Sequence, residues 1–299
     1  MVVPPLTLAS LALATLVIAA LPFLIYRQLR RPLGLRPRDA IAGVAVFALF
    51  AMVIERALND YLLRGNDATA AFLAQPIAFV VYGALAAGVC EEVGRFFGMR
   101  LLVKRAAARP VARRMANLDA NVGVEASAGT STPASTTADP RTAALRADDG
   151  VALSYGLGHG GAEAWMVGVL VQCQWLVFAV LENRGRLGDY LGNLPAEAVM
   201  RVHLILASLS PQLAGIFALE RIAALVFQIG LSVLMWRGVR AGSRVILPLA
   251  IVVHALIDVP AAMSQARLLP LAAVDTIYAV AALFVAGLLI RSYRRPVVV

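Results

Sequence analysis

Lysine is almost missing from this chain: Lys104 is the only one, and arginine supplies the remaining basic charge. We read that scarcity as compositional bias with no mechanism attached. The net charge of +9 does not mark a nucleic-acid protein, because the arginines form no amphipathic basic face. They gather at the ends of apolar runs, as anchors on the cytoplasmic side of a membrane do. Cysteine is scarce too. Cys90 and Cys173 both fall in apolar runs, which excludes a disulfide framework and suits small buried packing residues. No basic residue precedes the first apolar run, whereas Arg27, Arg30 and Arg31 follow it. A cleavable secretory leader has the reverse order, so this run reads as a retained span with its N-terminus outside. No HExxH occurs, which excludes the soluble zincin arrangement, and there is no tandem repeat.

What the chain has in quantity is apolar sequence, 60% of its residues, at a mean hydropathy of +0.78. Runs near 6–26, 40–58, 72–102, 150–181, 211–237, 245–264 and 271–291 are each long enough to cross a bilayer, which takes about 20 residues. The fold class is therefore all-α, a polytopic transmembrane bundle of about seven spans, in contact with the lipid bilayer and with no nucleic-acid partner. Arginines concentrate after the first, third, fifth and seventh runs, which predicts N-terminus out and C-terminus in, across a cell inner membrane. Residues 115–149 are rich in Ala, Ser, Thr and Asp and lack aromatics. We expect a disordered cytoplasmic linker there, separating spans one to three (1–114) from spans four to seven (150–299). The 183–210 connection, with His203, has helical periodicity and suits the membrane interface. No acidic or His partner stands at helical spacing from His203.

Three pairs of ionisable residues interrupt the apolar runs at a four-residue step: Glu91 with Arg95 in CEEVGRFF, His159 with Glu163 in YGLGHGGAEA, and His254 with Asp258 in VVHALIDVP. That step places both members on one helix face. Ionisable groups in hydrocarbon are costly, so they face a bundle interior and mark function. At about 1.5 Å of rise per residue, all three pairs reach similar depths, roughly 13–16 Å from the arginine-rich side. Gly156, Gly158, Gly160 and Gly161 surround His159 and serve either a close helix crossing or an opening for water. Glu220, Arg221 and Gln228 add polar positions to the fifth run, and Glu55 and Arg56 stand near the outer end of the second.

Two neutral imidazoles and a carboxylate, His159, His254 and Glu92, form a donor set for zinc with an open position. Such a metal brings the pKa of a bound water down to about 7. The second carboxylate of the Glu91/Glu92 pair is then a general base. Glu163 and Asp258 orient the imidazoles or complete the shell, and Arg95 fixes a carboxylate or stabilises negative charge. The same residues also make a metal-free hydrolase, with Glu91 and His159 activating water, and spacing does not separate the two.

EEVGR, the Tyr155-to-His159 step in YGLGHGG, and HALID resemble the ordered motifs of the CAAX-protease and bacteriocin-processing clan. Their particular forms resemble the YhfC-like family of intramembrane metalloproteases. The resemblance covers the third to sixth runs. It implies that Glu91, Glu92, His159 and His254 are catalytic or metal-binding, with Arg95, Glu163 and Asp258 in support. Tyr155 stands where the clan has Phe, and Gln228 where His would be expected. The expected activity is hydrolysis of a peptide bond in a membrane-associated polypeptide, at a site opening toward the cytoplasm. A proton- or ion-coupled transporter and a non-catalytic membrane scaffold are the alternatives, since buried carboxylate–His chains also form relays.

Overall fold

The computed structural model describes residues 3–121 and 140–293, with side chains over 3–105 and 149–293. Among the described residues seven helices are long and apolar enough to cross a membrane: Pro5–Leu29, Pro37–Gly65, Pro76–Arg105, Asp149–Asn183, Pro211–Arg240, Ile246–Gln265 and Leu271–Tyr293. They are called the first to seventh spans below. Each lies within a few residues of an expected run, except that the second extends to Gly65 and the third starts at Pro76. No strand occurs among the described residues. In hydrocarbon every backbone N–H and C=O must be satisfied within the segment, which an α-helix does. Leu13, Leu16, Phe23, Leu283 and Phe284 are exposed on the outside of the bundle, the surface a bilayer covers.

Hydrogen bonds fix which ends share a side. Val3 N–H donates to Asn183 Oδ1 (3.0 Å) and Asn183 Nδ2 returns one to the Val3 carbonyl (2.7 Å), joining the start of the first span to the end of the fourth. At the opposite end, Asp149 accepts from Arg237 Nη2 (2.7 Å) and from Tyr293 Oη (2.9 Å), tying the fourth, fifth and seventh spans. This second end carries the arginine-rich connections. The helical backbone enters the expected 115–149 linker from both sides, to Asn121 and from Pro140. The middle of that linker, 122–139, lies outside the described residues. In the 183–210 connection a helix forms at Ala196–Ser208, and its buried Leu206 packs with Val3, Leu187 and Leu191.

The fifth span is central, packing against the first, third, fourth, sixth and seventh. The fourth is gripped between the second and the fifth, and glycine is the reason it fits. A Cβ on Gly158 would collide with the Ala40 backbone of the second span. A Cβ on Gly156 would lie 2.9 Å from Ile229 Cα, and one on Gly160 2.9 Å from Gln228 Cβ, both in the fifth. Of the two roles open to these glycines, the structure takes the close crossing. Reciprocally, a Cβ on Gly43 would strike the Tyr155 carbonyl.

Three π-helical turns interrupt the spans: Phe50–Glu55 and Tyr61–Gly65 in the second, and Ala164–Val169 in the fourth. Single π-turns inside α-helices recur at functional sites. One ends at Glu55, and another begins just after Glu163.

Gly158→Ala should destabilise the bundle by about 1–3 kcal/mol, because backbone and not a flexible side chain blocks the added methyl. Gly287→Ala, where a Cβ meets nothing within 4 Å, should not. Thermal unfolding in detergent checks both; equal effects would show that the crossing is looser than described.

Candidate active site

Arg95 is the centre of the buried polar cluster and has no exposed surface. Its Nε donates to both oxygens of Glu92, at 3.1 Å each, from one turn away on the same helix. Its Nη1 donates to the Gln228 carbonyl (3.1 Å) and to Ser232 Oγ, and its Nη2 to Gln228 Oε1. The expected partner, Glu91, stands 3.9 Å from Nη2 and is secondary. A guanidinium is a planar fork that satisfies several acceptors at once, and here it locks the third span to the fifth. Arg95 directs its guanidinium to these partners, and fixing Glu92 is the part of its expected role that this geometry supplies.

Glu91 and Glu92 diverge because neighbouring residues on a helix point about 100° apart. Glu92 is fully buried, and its Oε1 accepts from His254 Nδ1–H of the sixth span (2.8 Å). Glu91 turns to the fourth and fifth spans. Its Oε2 accepts from His159 Nε2–H (2.9 Å) and from Gln228 Nε2 (2.9 Å). The three motifs thus converge in space, as their matched depths predict.

The intrahelical pairing of His159 with Glu163 does not form. Glu163 accepts from Gln228 Nε2 at Oε2 (2.9 Å) and from Arg221 Nη1 at Oε1 (3.2 Å). Arg221 thus pairs with Glu163 on the fourth span. His254 and Asp258 stay together, with Nε2 and Oδ2 3.5 Å apart. Gln228 is the residue whose weight the sequence understates. With Oε1 facing Arg95 and Nε2 shared between Glu91 and Glu163, it links three spans. Its seven-residue step from Arg221 and four-residue step to Ser232 were the available signal, since these put all three on one face. Away from the site, His203 does find an acid, Glu182 (3.2 Å), across a helix junction. Cys90 is buried as expected, whereas Cys173 is exposed on the outside of the bundle.

A cavity of about 380 Å³ lies over this cluster, lined by Glu91, Glu163, Gln228, His254 and Asp258 at its floor. It extends along Glu220, Ser264 and Gln265 to Leu271, at the 266–270 connection. That is the end away from the arginine-rich connections, the reverse of the expected opening. The arginine-rich side is plugged by packed residues that include Met99, Tyr155, Trp236, Ile246 and Ala250. His159 and Glu92 are absent from the cavity wall. The His159 ring is enclosed by Phe47, edge-on at 5.2 Å, and Tyr155, stacked at 6.0 Å, and its Nδ1 has no partner.

These positions test a metal directly. The expected trio of Glu92, His159 and His254 is not gathered round one point. Glu92 is occupied by Arg95 and His254, and His159 by Glu91. Among the described residues no three His, Cys, Asp or Glu side chains are arranged to hold a metal ion. Two donors at the cavity floor do match zinc in kind and spacing. In its neutral form His254, giving Nδ1–H to Glu92, would turn an Nε2 lone pair toward Asp258, the carboxylate–histidine arrangement that orients metal ligands. The 3.5 Å between His254 Nε2 and Asp258 Oδ2 is close to the ~3.4 Å between neighbouring ligands of a tetrahedral zinc.

A cluster of carboxylates and imidazoles buried among seven membrane-length helices, under a polar cavity, defines a polytopic membrane protein with an ionisable centre. Its sequence matches the profile of the YhfC intramembrane metalloprotease family over residues 17–114 and 142–279, most of its length, and the chain belongs to that family. The stretch between the two matched segments contains most of the 115–149 linker. The chain is also 29% identical, over 280 residues and 91% of each protein, to the "Uncharacterized membrane protein YhfC" of Bacillus subtilis (strain 168). No solved structure matches it significantly.

Arg95→Met should cost about 3–5 kcal/mol of stability, because it leaves the Glu92 carboxylate buried without its cation. Adding Glu92→Gln should recover part of that loss. A double-mutant cycle in thermal unfolding checks this; additive losses would mean that the pair is not coupled.

Proposed function

We propose that the chain is an intramembrane peptidase of the cell inner membrane that hydrolyses a peptide bond of a membrane-associated polypeptide. The observation that carries the reading is the division between the two glutamates: Glu92 is sealed in the ion network while Glu91 lines the cavity. Glu91 is the general base. Held through Oε2 by His159 and Gln228, it takes a proton from the attacking water and returns it to the departing amine. His159 and Gln228 hold the carboxylate in place, and Arg95 holds Gln228. Glu163, anchored by Arg221, lies beside it on the same wall. This placement at the end of a four-span hydrogen-bonded network is support for a fixed catalytic group and not for a mobile relay.

The family's metal, which we take to be zinc, would be held by His254 Nε2 and Asp258, with Glu91 the nearest further carboxylate on the cavity floor. When bound it supplies Lewis-acid polarisation of a carbonyl and a more acidic water. Glu92 orients His254 and is not a ligand in this reading. With the arginine-rich connections toward the cytoplasm, N-terminus out and C-terminus in, the substrate enters from the non-cytoplasmic side. The motif pattern also supports a place in the wider CAAX-protease and bacteriocin-processing clan.

The test is turnover of a single-span reporter polypeptide by the full chain in proteoliposomes. Glu91→Gln should lower the rate by about 10²-fold or more while leaving the unfolding temperature in place. Retained turnover would remove Glu91 from the chemistry. Elemental mass spectrometry locates the metal: about one zinc per chain is expected, lost in His254→Ala and kept in His159→Ala. The opposite pattern would move the metal to the His159 pair.

A further inference from the structure

One cavity takes no part in the cluster around Arg95. It measures about 450 Å³ and lies between the first, second and fourth spans, with no charged side chain in its lining. Phe23, Val44 and Trp165 line it and are exposed on the outside of the bundle, so what fills it comes from the bilayer. Its wall is fixed. Trp165 Nε1–H donates to the Ala19 carbonyl (3.2 Å), and the Trp165 ring meets Phe23 edge-on with centroids 6.1 Å apart. Leu157 and Met166 bound the fourth-span lining and stand about 14 Å apart along the helix. One leaflet of the hydrocarbon core is about 15 Å deep, so the cavity has the length of one lipid tail.

Two further observations say which lipid fits. The first is charge. Arg27 follows Phe23, and Arg30 follows Tyr26, by a four-residue step, which keeps both on the lining face of the first span. Arg36 precedes Ala40 by the same step, at the N-cap of the second span. All three are exposed, and among the described residues their side chains have no partner. The second observation is an orphaned donor. Tyr26 lines the cavity one turn before Arg30, and its Oη is buried with no hydrogen-bond partner among the described residues. Leaving a buried hydroxyl unpaired is costly, and an ester oxygen just below a lipid headgroup is an acceptor at that level. Basic pockets between spans on the positively charged side of a membrane hold anionic headgroups.

The geometry points to a binding site for an anionic phospholipid from the leaflet on the arginine-rich side. One tail lies in the cavity, an ester oxygen accepts from Tyr26 Oη–H, and the headgroup phosphate meets Arg27, Arg30 and Arg36. The tail rests on Ala40 and Gly158, the helix crossing beside His159, so bound lipid braces the second span against the fourth. The site is separate from the Glu91 cavity and does not depend on the reaction proposed there.

The test titrates phosphatidylglycerol, or phosphatidylcholine with the same tails, into the full-length chain in detergent. Native mass spectrometry counts retained lipid, and thermal unfolding reads the bracing. One phosphatidylglycerol per chain should be retained, on the order of tenfold or more tighter than phosphatidylcholine, and should raise the unfolding temperature. Arg27→Gln, Arg30→Gln and Arg36→Gln together should reduce phosphatidylglycerol to the phosphatidylcholine level. Arg244→Gln with Arg291→Gln, on the same side but away from the cavity, should not. Val44→Trp, which fills the cavity, should weaken both lipids on the order of tenfold with the arginines intact. Unfolding temperatures before lipid is added show that each variant is folded. Equal retention of the two lipids overturns the site, as does an equal loss in the Arg244 and Arg291 variant. Retention that survives Val44→Trp takes the tail out of the cavity and overturns it too. Displacement by glycerol phosphate, which has no tail, leaves only an anion site and also overturns it. A dimer in place of bound lipid, lost in Val44→Trp, gives the cavity to a second copy of the chain and overturns the lipid.

Discussion

The structure depends on one buried cation. Arg95 has no access to solvent, and a guanidinium in that position must be neutralised and fully hydrogen-bonded. It draws in Glu92 from its own helix, and Gln228 and Ser232 from the fifth span. Those bonds set the rotation of the third span, and the rotation decides what Glu91 faces. Gln228, aligned by the same guanidinium, then orients Glu91 and Glu163 together. The arrangement is tolerable inside a membrane because each charged member has a polar or oppositely charged partner, on its own helix or on a neighbouring one. Glycine at the crossing of the fourth span with the second and fifth brings His159 near enough to take its place in the network.

The adjacent glutamates show how one helix produces two environments. Glu92 faces the arginine and fixes the tautomer of His254. Glu91 faces the cavity and keeps an oxygen free of protein donors. This asymmetry separates a sealed carboxylate from a cavity-facing one without any difference in residue type. It also places His254, and not His159, at the cavity wall, so the two histidines have different work. His159 steadies Glu91 from within a closed aromatic pocket, while His254 lies at the cavity wall.

Much of this was legible in the sequence. Apolar run length located all seven spans, because the bilayer imposes one length on each. The four-residue pairs picked out side chains that the fold brings into one buried cluster, since ionisable groups in hydrocarbon turn to the bundle interior. Their partners were not legible. Spacing along one helix shows who can meet within it, but helices packed alongside compete, and Glu91 outbids Glu163 for His159 while Gln228 and Arg221 take Glu163. The acid beside His203 lies across a helix junction, so helical spacing could not reveal it. Gln228 looked like a neutral packing residue because its importance arises only when three spans assemble. The direction of the cavity was also hidden. Depth from one side gives distance to the surface, whereas the opening depends on where large side chains such as Trp236 and Met99 fill the bundle.

The most direct measurement of the account is the entry route to the cavity. Single-cysteine chains with Cys90 and Cys173 replaced by alanine would carry Ala261→Cys in the cavity or Ala250→Cys in the plug on the arginine-rich side. A charged, membrane-impermeant thiol reagent would be applied to each face of oriented vesicles in turn. Position 261 should react only from the face bearing the 266–270 connection, and position 250 from neither. Modification of 261 from the arginine-rich face, or of 250 from that face, would show that the site opens the other way and would contradict the account.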